Sequence, residues 1–366
     1  MKNIVIKLLV VILASFASIA AFAQELDVGS RPDNTKLKPI KGTDAILTAW
    51  GIVPGKIRLS RDVGVKEIVS FSSNPKALKI LVDEAREYNI PIYGTVVPLV
   101  GKPEQEMNDE ENAFRDSILA DKTKEKNKYQ FGGEPYHDLE VQDLSISCFH
   151  HKKVREKVME KIRGVIMVDG IAGVAFDFFG YSNYRCCQCP LSMELAKRYH
   201  KKHPKMTETE ALEAFSLESL VDFNNEMADY ARSLKPGIKV RNHVHPVFLP
   251  DLYYGNRLKL DICCQTAAWF MEPYWSRERI EEHVRIIFGK EKQYYAFAEG
   301  AALLGTTATE KSSHPPKSPE RVEFELRTML NAGADRIEVC SWGDVLRSPK
   351  HLNIFKRVFN HGKGRR

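Results

Sequence analysis

Four carboxyl groups follow apolar segments of this sequence and could act together in acid–base chemistry. Asp177 ends the apolar run Gly-Val-Ala-Phe, where a charge is costly to bury unless it is paired or used. Glu272 stands among aromatic residues that could raise its pKa, Glu299 follows Tyr-Ala-Phe-Ala, and Asp344 trails another apolar run. Hydrolysis of a glycosidic bond needs two such groups, one as acid and the other as nucleophile or base.

Asp177 is the strongest candidate of the four catalytic carboxyl groups. Its partner is either Glu272 or Glu299, and the residues alone do not choose between them. An alternative is that Asp177 only caps a turn or pairs with Arg185.

Aromatic residues concentrate in segments that follow the apolar runs. Aromatic faces stack on the apolar C–H faces of sugar rings, so these side chains predict a carbohydrate pocket. The predicted substrate contacts of this type are Trp50, Tyr181, Trp269, Tyr274 and Trp342. The alternative is that these large side chains merely fill the end of the fold.

His243 and His245 form a His-x-His pair in which both side chains could point the same way off an extended chain. We predict that both bind sugar hydroxyl groups. Metal binding and simple packing stay open, but no second His-x-His on the first strand and no His-Glu-x-x-His helix accompanies the pair.

Cys186 and Cys189 form a Cys-x-x-Cys motif shortly after Asp177. The motif is half of a zinc site, and the other half would have to come from Cys148, His150 or His151. A disulfide is equally open in an exported protein.

The elements that must position these groups alternate between strands and helices. Apolar runs predict strands at 45–50, 66–71, 92–97, 173–176, 239–243, 260–264, 294–298 and 336–340. Helical periodicity predicts helices at 75–88, 154–165, 191–200, 207–234, 280–287 and 318–332. Eight strands, most followed by a helix, predict an α/β protein with a (β/α)8 TIM barrel, whose chemistry occurs at the carboxyl ends of the strands. A doubly wound open sheet is the alternative.

The remaining segments suggest an exported protein with one catalytic domain. Residues 1–23 have the charged start, apolar run and Ala-Phe-Ala site of a signal peptide, with an uncleaved anchor as the alternative. We expect an irregular lead-in at 24–42, a barrel at 43–366, and an insertion at 101–146 after the third strand. We therefore expect the mature protein to be periplasmic or secreted, without stable insertion in a membrane after the signal peptide is cleaved.

The chain of 366 residues carries a net charge of +6, from 54 basic and 48 acidic residues without a long basic block. Nucleic-acid binding is therefore not expected. Neither a Gly-x-Gly-x-x-Gly motif nor a Walker loop is present, and we expect no cofactor and no catalytic metal.

Residues 169–184, with the Cys-x-x-Cys motif after them, resemble the strand-four region of TIM-barrel glycoside hydrolases. The likeness is closest to the glycoside-hydrolase-like proteins of bacterial polysaccharide degraders. Residues 245–258 and 265–269 resemble the same group, and the likeness covers about residues 45–345. This resemblance implies that Gln265 also contacts the substrate.

The resemblance implies that Asp177 is the nucleophile and Glu272 the acid/base. Another large clan carries Asn-Glu at strand four, but Phe176-Asp177 stands there in this chain, and the spaced acids of chitinases are also missing. The expected function is an exported glycoside hydrolase acting on a poly- or oligosaccharide. The alternatives are a non-catalytic carbohydrate-binding barrel and a metal-dependent hydrolase or deacetylase that uses His243, His245 and Asp177.

Overall fold

Eight short strands pair in parallel and close into a barrel. The structure is a computed structural model, and it describes residues 42–97, 130–131, 134–135, 147–177, 179, 189–244, 254–268, 274–289, 299–306 and 317–359. Each strand pairs with the next one in the chain, and the eighth pairs with the first. The strands are β1 (Ile46–Trp50), β2 (Val65–Ser70), β3 (Ile92–Val96), β4 (Gly173–Phe176), β5 (Lys239–Val244), β6 (Ile262–Ala268), β7 (Glu299–Gly305) and β8 (Arg336–Cys340). The predicted (β/α)8 barrel is confirmed.

Helices follow most of the strands and surround the barrel. They are α1 (Ile57–Val63), α2 (Pro75–Arg86), α3 (Lys152–Ile166), α4 (Pro190–Lys202), α5 (Glu208–Leu234), α6 (Arg277–Phe288), α7 (Pro319–Asn331), α8 (Trp342–Arg347) and α9 (Pro349–Phe359). Successive residues of a strand point to opposite faces, so one set packs against the helices and the other fills the barrel lumen. The helix-facing core includes Leu47, Val174 and Leu304, whereas Val69, Ala175 and Leu303 belong to the lumen.

The predicted seventh strand, 294–298, lies outside the described residues. The described strand at this place in the barrel, β7, begins at Glu299, whose backbone N–H bonds to the carbonyl of Asp261 just before β6. Small residues in β7 fit because α6 packs closely against the strand. A Cβ added at Gly300 would lie 2.9 Å from the carbonyl oxygen of Ile287 in α6. Glu299 therefore lies at the amino end of β7, whereas the sequence pattern predicts it at the carboxyl end of its strand.

Two expectations about the rest of the chain stay predictions. Residues 1–41 lie outside the described part, as does most of 101–146, in which only a two-residue ladder between Gln130–Phe131 and Glu134–Pro135 is described. No helix among the described residues has the length and hydropathy to cross a membrane.

The start of α2 shows how the sequence limits a helix. Asn74 accepts hydrogen bonds from the backbone N–H groups of Lys76 and Ala77, and Pro75 occupies the first helical position, where its missing N–H costs nothing. We expect Asn74→Ala to lower the free energy of unfolding by about 1 kcal/mol and Asn74→Gly by a few tenths. Urea unfolding of both variants measures this, and equal losses would contradict the capping role.

Candidate active site

The carboxyl ends of β4, β5 and β6 bring three polar side chains together in the barrel lumen. Asp177 directly follows β4, His243 is the fifth residue of β5, and Thr266 is the fifth residue of β6. The parallel register aligns Phe176 with Asn242 and His243 with Cys264, so these strand ends lie at one level. This is the face on which barrel enzymes carry their active sites.

A continuous hydrogen-bond chain joins these three side chains. Nδ1 of His243 lies 3.1 Å from Oδ1 of Asp177, and Nε2 lies 3.0 Å from the hydroxyl oxygen of Thr266. A carboxylate oxygen accepts hydrogen bonds, so Nδ1–H of His243 donates to Asp177, and Nε2 lies within hydrogen-bond distance of the Thr266 hydroxyl. The side chain of Asp177 is 11% exposed and that of His243 is 9% exposed. These hydrogen bonds therefore hold the Asp177 carboxylate in a fixed orientation in a site that is largely buried.

The same chain of bonds argues against His243 as a metal ligand. A metal-bound imidazole gives one ring nitrogen to the ion and the other to a hydrogen bond. Both ring nitrogens of His243 are already engaged by Asp177 and Thr266. His245, the other histidine of the metal-dependent alternative, lies outside the described residues, and that alternative stays a prediction.

Trp50 and Cys340 lie beside the hydrogen-bonded chain. The indole of Trp50, 2% exposed, meets the His243 ring edge to face with centroids 5.7 Å apart. Burial, together with the negative charges of Asp177, Glu338 and Asp344, raises the pKa of the Cys340 thiol well above its usual range. Cys340 is therefore a neutral neighbour of Asp177 and not a thiolate nucleophile. Trp50 packs against His243, which differs from the open stacking platform that the sequence suggested.

Charged side chains in the lumen form an ion-pair network. Arg241 pairs with Glu338 and, at 3.3 Å, with Glu67, while Arg336 lies 2.5 Å from Glu67. Thr48 donates to Glu67 at 3.0 Å. Burial alone would raise the pKa of Glu67, but the charges of Arg241 and Arg336 outweigh it and lower that pKa. The lumen of the barrel therefore holds paired charged side chains in addition to Asp177.

Asp344 is a second carboxyl group near this end of the barrel. It lies in α8, pairs with Arg347, and has one carboxylate oxygen that is buried without a hydrogen-bond partner among the described residues. Burial raises its pKa, and the charge of Arg347 offsets part of that rise.

Glu299 does not join this site. It begins β7, whereas Asp177 follows the end of β4, so the two carboxyl groups lie at opposite ends of the barrel. Its side chain is 61% exposed and pairs with Arg336 at the start of β8. The prediction that Glu299 ends its strand beside Asp177 is wrong, because Glu299 pairs with Ile262, the first residue of β6.

Three predicted substrate contacts lie in other surroundings. Trp342 is fully buried in the helix-facing core, where its indole N–H donates to the hydroxyl of Ser60 at 2.9 Å, which corrects the expectation that it faces substrate. Gln265 lies between the lumen-facing Cys264 and Thr266, so alternation turns it toward the helices, which corrects its expected role. Tyr274 is half-buried against the cations of Lys317 and Arg321, at 5.2 and 5.0 Å from its ring.

The other predicted site residues, one catalytic and three substrate-binding, lie outside the described residues. This group comprises Glu272, Tyr181, His245 and Trp269. Their roles stay predictions.

Sequence reasoning missed Thr266 and the lumen charges. Thr266 has an ordinary β-branched strand residue type, and only its register beside His243 gives it a polar role. A signal was present for Arg241, because a charged residue in the middle of a predicted strand needs a partner if the strand is buried on both faces.

Comparison with solved structures identifies enzymes with the same architecture. The glycoside hydrolase domain of PgaB (BpsB) from Bordetella bronchiseptica matches with a TM-score of 0.55 at 9% identity, covering 88% of this chain and 100% of that one. A catalytic mutant of Gan42B, a GH42 beta-galactosidase from G. stearothermophilus, gives 0.55 at 12% identity, covering 88% and 57%. Alpha-L-fucosidase isoenzyme 2 from Paenibacillus thiaminolyticus gives 0.51 at 12% identity, covering 86% and 48%.

The chain shares its barrel fold with these glycoside hydrolases. It spans little more than half the length of the galactosidases that it matches, 58% for the enzyme from the psychrophilic Marinomonas ef1. No protein-family model matches the sequence, and no curated protein matches it significantly. At these identities the likeness establishes the fold, and the residues of the site must carry the argument for chemistry.

The hydroxyl of Thr266 offers a test of the hydrogen-bond chain. Thr266→Val keeps the shape but removes the group bonded to Nε2 of His243. One neutral hydrogen bond contributes roughly 0.5–1.5 kcal/mol, so we expect kcat to fall up to about tenfold with little change in KM. Thr266→Ser retains the hydroxyl and is expected to stay within about twofold of wild type. Equal kcat values for the Val and Ser variants would contradict a role for this bond.

Proposed function

We propose that this protein is an exported glycoside hydrolase that cleaves glycosidic bonds of a poly- or oligosaccharide at the carboxyl end of its barrel. The observation that carries the proposal is the buried Asp177–His243–Thr266 chain at the carboxyl ends of neighbouring strands. The fold shared with glycoside hydrolases supports it.

Asp177 is proposed as the nucleophile. Its carboxylate accepts a hydrogen bond from Nδ1 of His243, and this bond holds the carboxylate in one orientation at the end of β4, where it can attack an anomeric carbon. His243 is a positioning residue, since its ring is fixed on one side by Thr266 and on another by the indole of Trp50. In this role Asp177 forms a covalent bond to the anomeric carbon as the leaving-group oxygen departs, and water then releases the sugar.

Glu272 is proposed as the acid/base that protonates the leaving group and later activates water. The proposal rests on its aromatic sequence surroundings, which favour a protonated carboxyl group, and on the resemblance of this region to barrel glycosidases. Asp344 is less suited to this role, because its carboxylate is already paired with Arg347.

A hydrolysis screen tests the function. Wild type and Asp177→Asn are incubated with aryl glycosides, including β-galactosides and α-L-fucosides, and with a panel of polysaccharides. Sugar release by wild type that disappears in the variant supports the proposal. Saturable sugar binding by both proteins without turnover would instead favour the carbohydrate-binding barrel, which needs no nucleophile.

A further inference from the structure

Three side chains of types that can bind metals, from two separate parts of the chain, come together outside the Asp177–His243–Thr266 hydrogen-bond chain. Cys148 and His151 precede α3, and Cys189 is the residue just before α4. One ligand atom from each lies within 4.8 Å of the other two. We propose that Cys148, His151 and Cys189 bind a structural zinc ion.

The distances between the donor atoms match a shared tetrahedral ion. Zinc binds sulfur at about 2.3 Å and imidazole nitrogen at about 2.0–2.1 Å, so tetrahedral angles place two sulfurs about 3.8 Å apart and sulfur and nitrogen about 3.6 Å apart. The sulfurs of Cys148 and Cys189 are 3.8 Å apart. The sulfur of Cys189 lies 3.7 Å from Nε2 of His151. A disulfide needs about 2.05 Å between the sulfurs, so this spacing fits a metal better than a covalent bridge.

Hydrogen-bond groups surround both sulfurs and orient them toward each other. Cys189 caps the amino end of α4, and the backbone N–H of Ser192 points at its sulfur from 3.5 Å. The hydroxyl of Ser192 lies 3.1 Å from the sulfur of Cys189 and 3.3 Å from that of Cys148. Such outer hydrogen bonds orient metal ligands and hold their charge.

His150, the other histidine of this segment, is engaged differently. Its Nδ1 lies 2.7 Å from the hydroxyl oxygen of Ser192, and its ring packs on Phe149. His151 is therefore the histidine that joins the two cysteines. The combination of soft thiolate and imidazole donors selects zinc over calcium or magnesium, which prefer oxygen.

The proposed ion would link two segments that are 41 residues apart. One is the start of α3, and the other is the start of α4, where the segment that follows Asp177 in the sequence ends. The described residues supply three ligands of such a site. The ion would thereby fix the far end of the segment that borders the nucleophile.

Metal analysis of the full chain tests the proposal. Protein produced in zinc-supplemented medium is desalted, and zinc is measured by mass spectrometry against protein concentration. We expect about one zinc per chain in wild type and in Cys263→Ala, a buried cysteine in β6, and below about one tenth in the double variant Cys148→Ser/Cys189→Ser. Substitution by cobalt in the wild-type protein, read as a thiolate-to-metal absorption band, gives a measurement that does not depend on folding of the variants.

Any of three results would overturn the proposal. One is reduced wild-type protein that binds neither zinc nor cobalt. Another is peptide mass spectrometry that finds Cys148 and Cys189 joined by a disulfide in protein purified without reductant. Zinc retained at full occupancy in a folded double variant would also contradict this choice of ligands.

Discussion

Asp177→Asn is expected to lower kcat for glycoside hydrolysis by at least ~10³-fold while KM stays within about threefold, since the amide cannot act as nucleophile but keeps the size of the carboxylate. The amide can still accept a hydrogen bond from Nδ1 of His243, so the local structure should be preserved. Steady-state kinetics on the best substrate of the screen measures both constants.

Glu299→Gln is the matched control for this loss. It removes one carboxylate from the opposite end of the barrel, where Glu299 is mostly exposed and paired with Arg336. We expect its kcat to stay within about threefold of wild type, because Glu299 is 61% exposed, Arg336 keeps its bond to Glu67, and no reacting group is removed. Loss of turnover in Glu299→Gln with turnover retained in Asp177→Asn would reverse the assignment of the active end.

Arg241→Met is expected to lower the free energy of unfolding by about 3–5 kcal/mol, because it removes the cation that pairs with the buried Glu338 and one of the two cations that pair with Glu67. Arg241 is 1% exposed and holds Glu338 and Glu67 in the lumen, and its guanidinium also lies 4.8 Å from the ring centre of Tyr93. The change is read as a lower urea midpoint at an unchanged denaturant slope.

Arg232→Met provides the comparison for this stability loss. Arg232 also pairs with a carboxylate, Asp261 at 2.9 Å, but its side chain is 32% exposed. We expect a loss below about 1 kcal/mol, since solvent screens the pair. Equal losses for the two arginine variants would mean that the lumen network does not stabilise the barrel as proposed.

The barrel could be predicted from sequence because most of its strands are short apolar runs that local pattern resolves. β4 and β8 have their predicted bounds, and most other strands agree within a residue or two. For the seventh strand, propensity favours the aromatic run at 294–298, which lies outside the described residues, whereas the described β7 is rich in small residues that fit the packed sheet. Propensity does not include the tertiary packing that decided this case.

The site could be predicted only in part. Asp177 and His243 were found because a polar group at the end of a buried strand is conspicuous. Thr266 depends on strand register, which the sequence does not supply. Trp342 was misplaced because a tryptophan after a strand has the same sequence pattern whether it faces a pocket or packs under a helix.

Azide rescue tests the proposed role of Asp177 most directly. Asp177→Ala is assayed with and without azide on an aryl glycoside whose leaving group needs no acid. If Asp177 is the nucleophile, azide fills its place, raises turnover by at least ~10-fold and yields a glycosyl azide whose anomeric configuration is inverted relative to the substrate. Absence of rescue, or an azide product with retained configuration, would contradict Asp177 as the nucleophile.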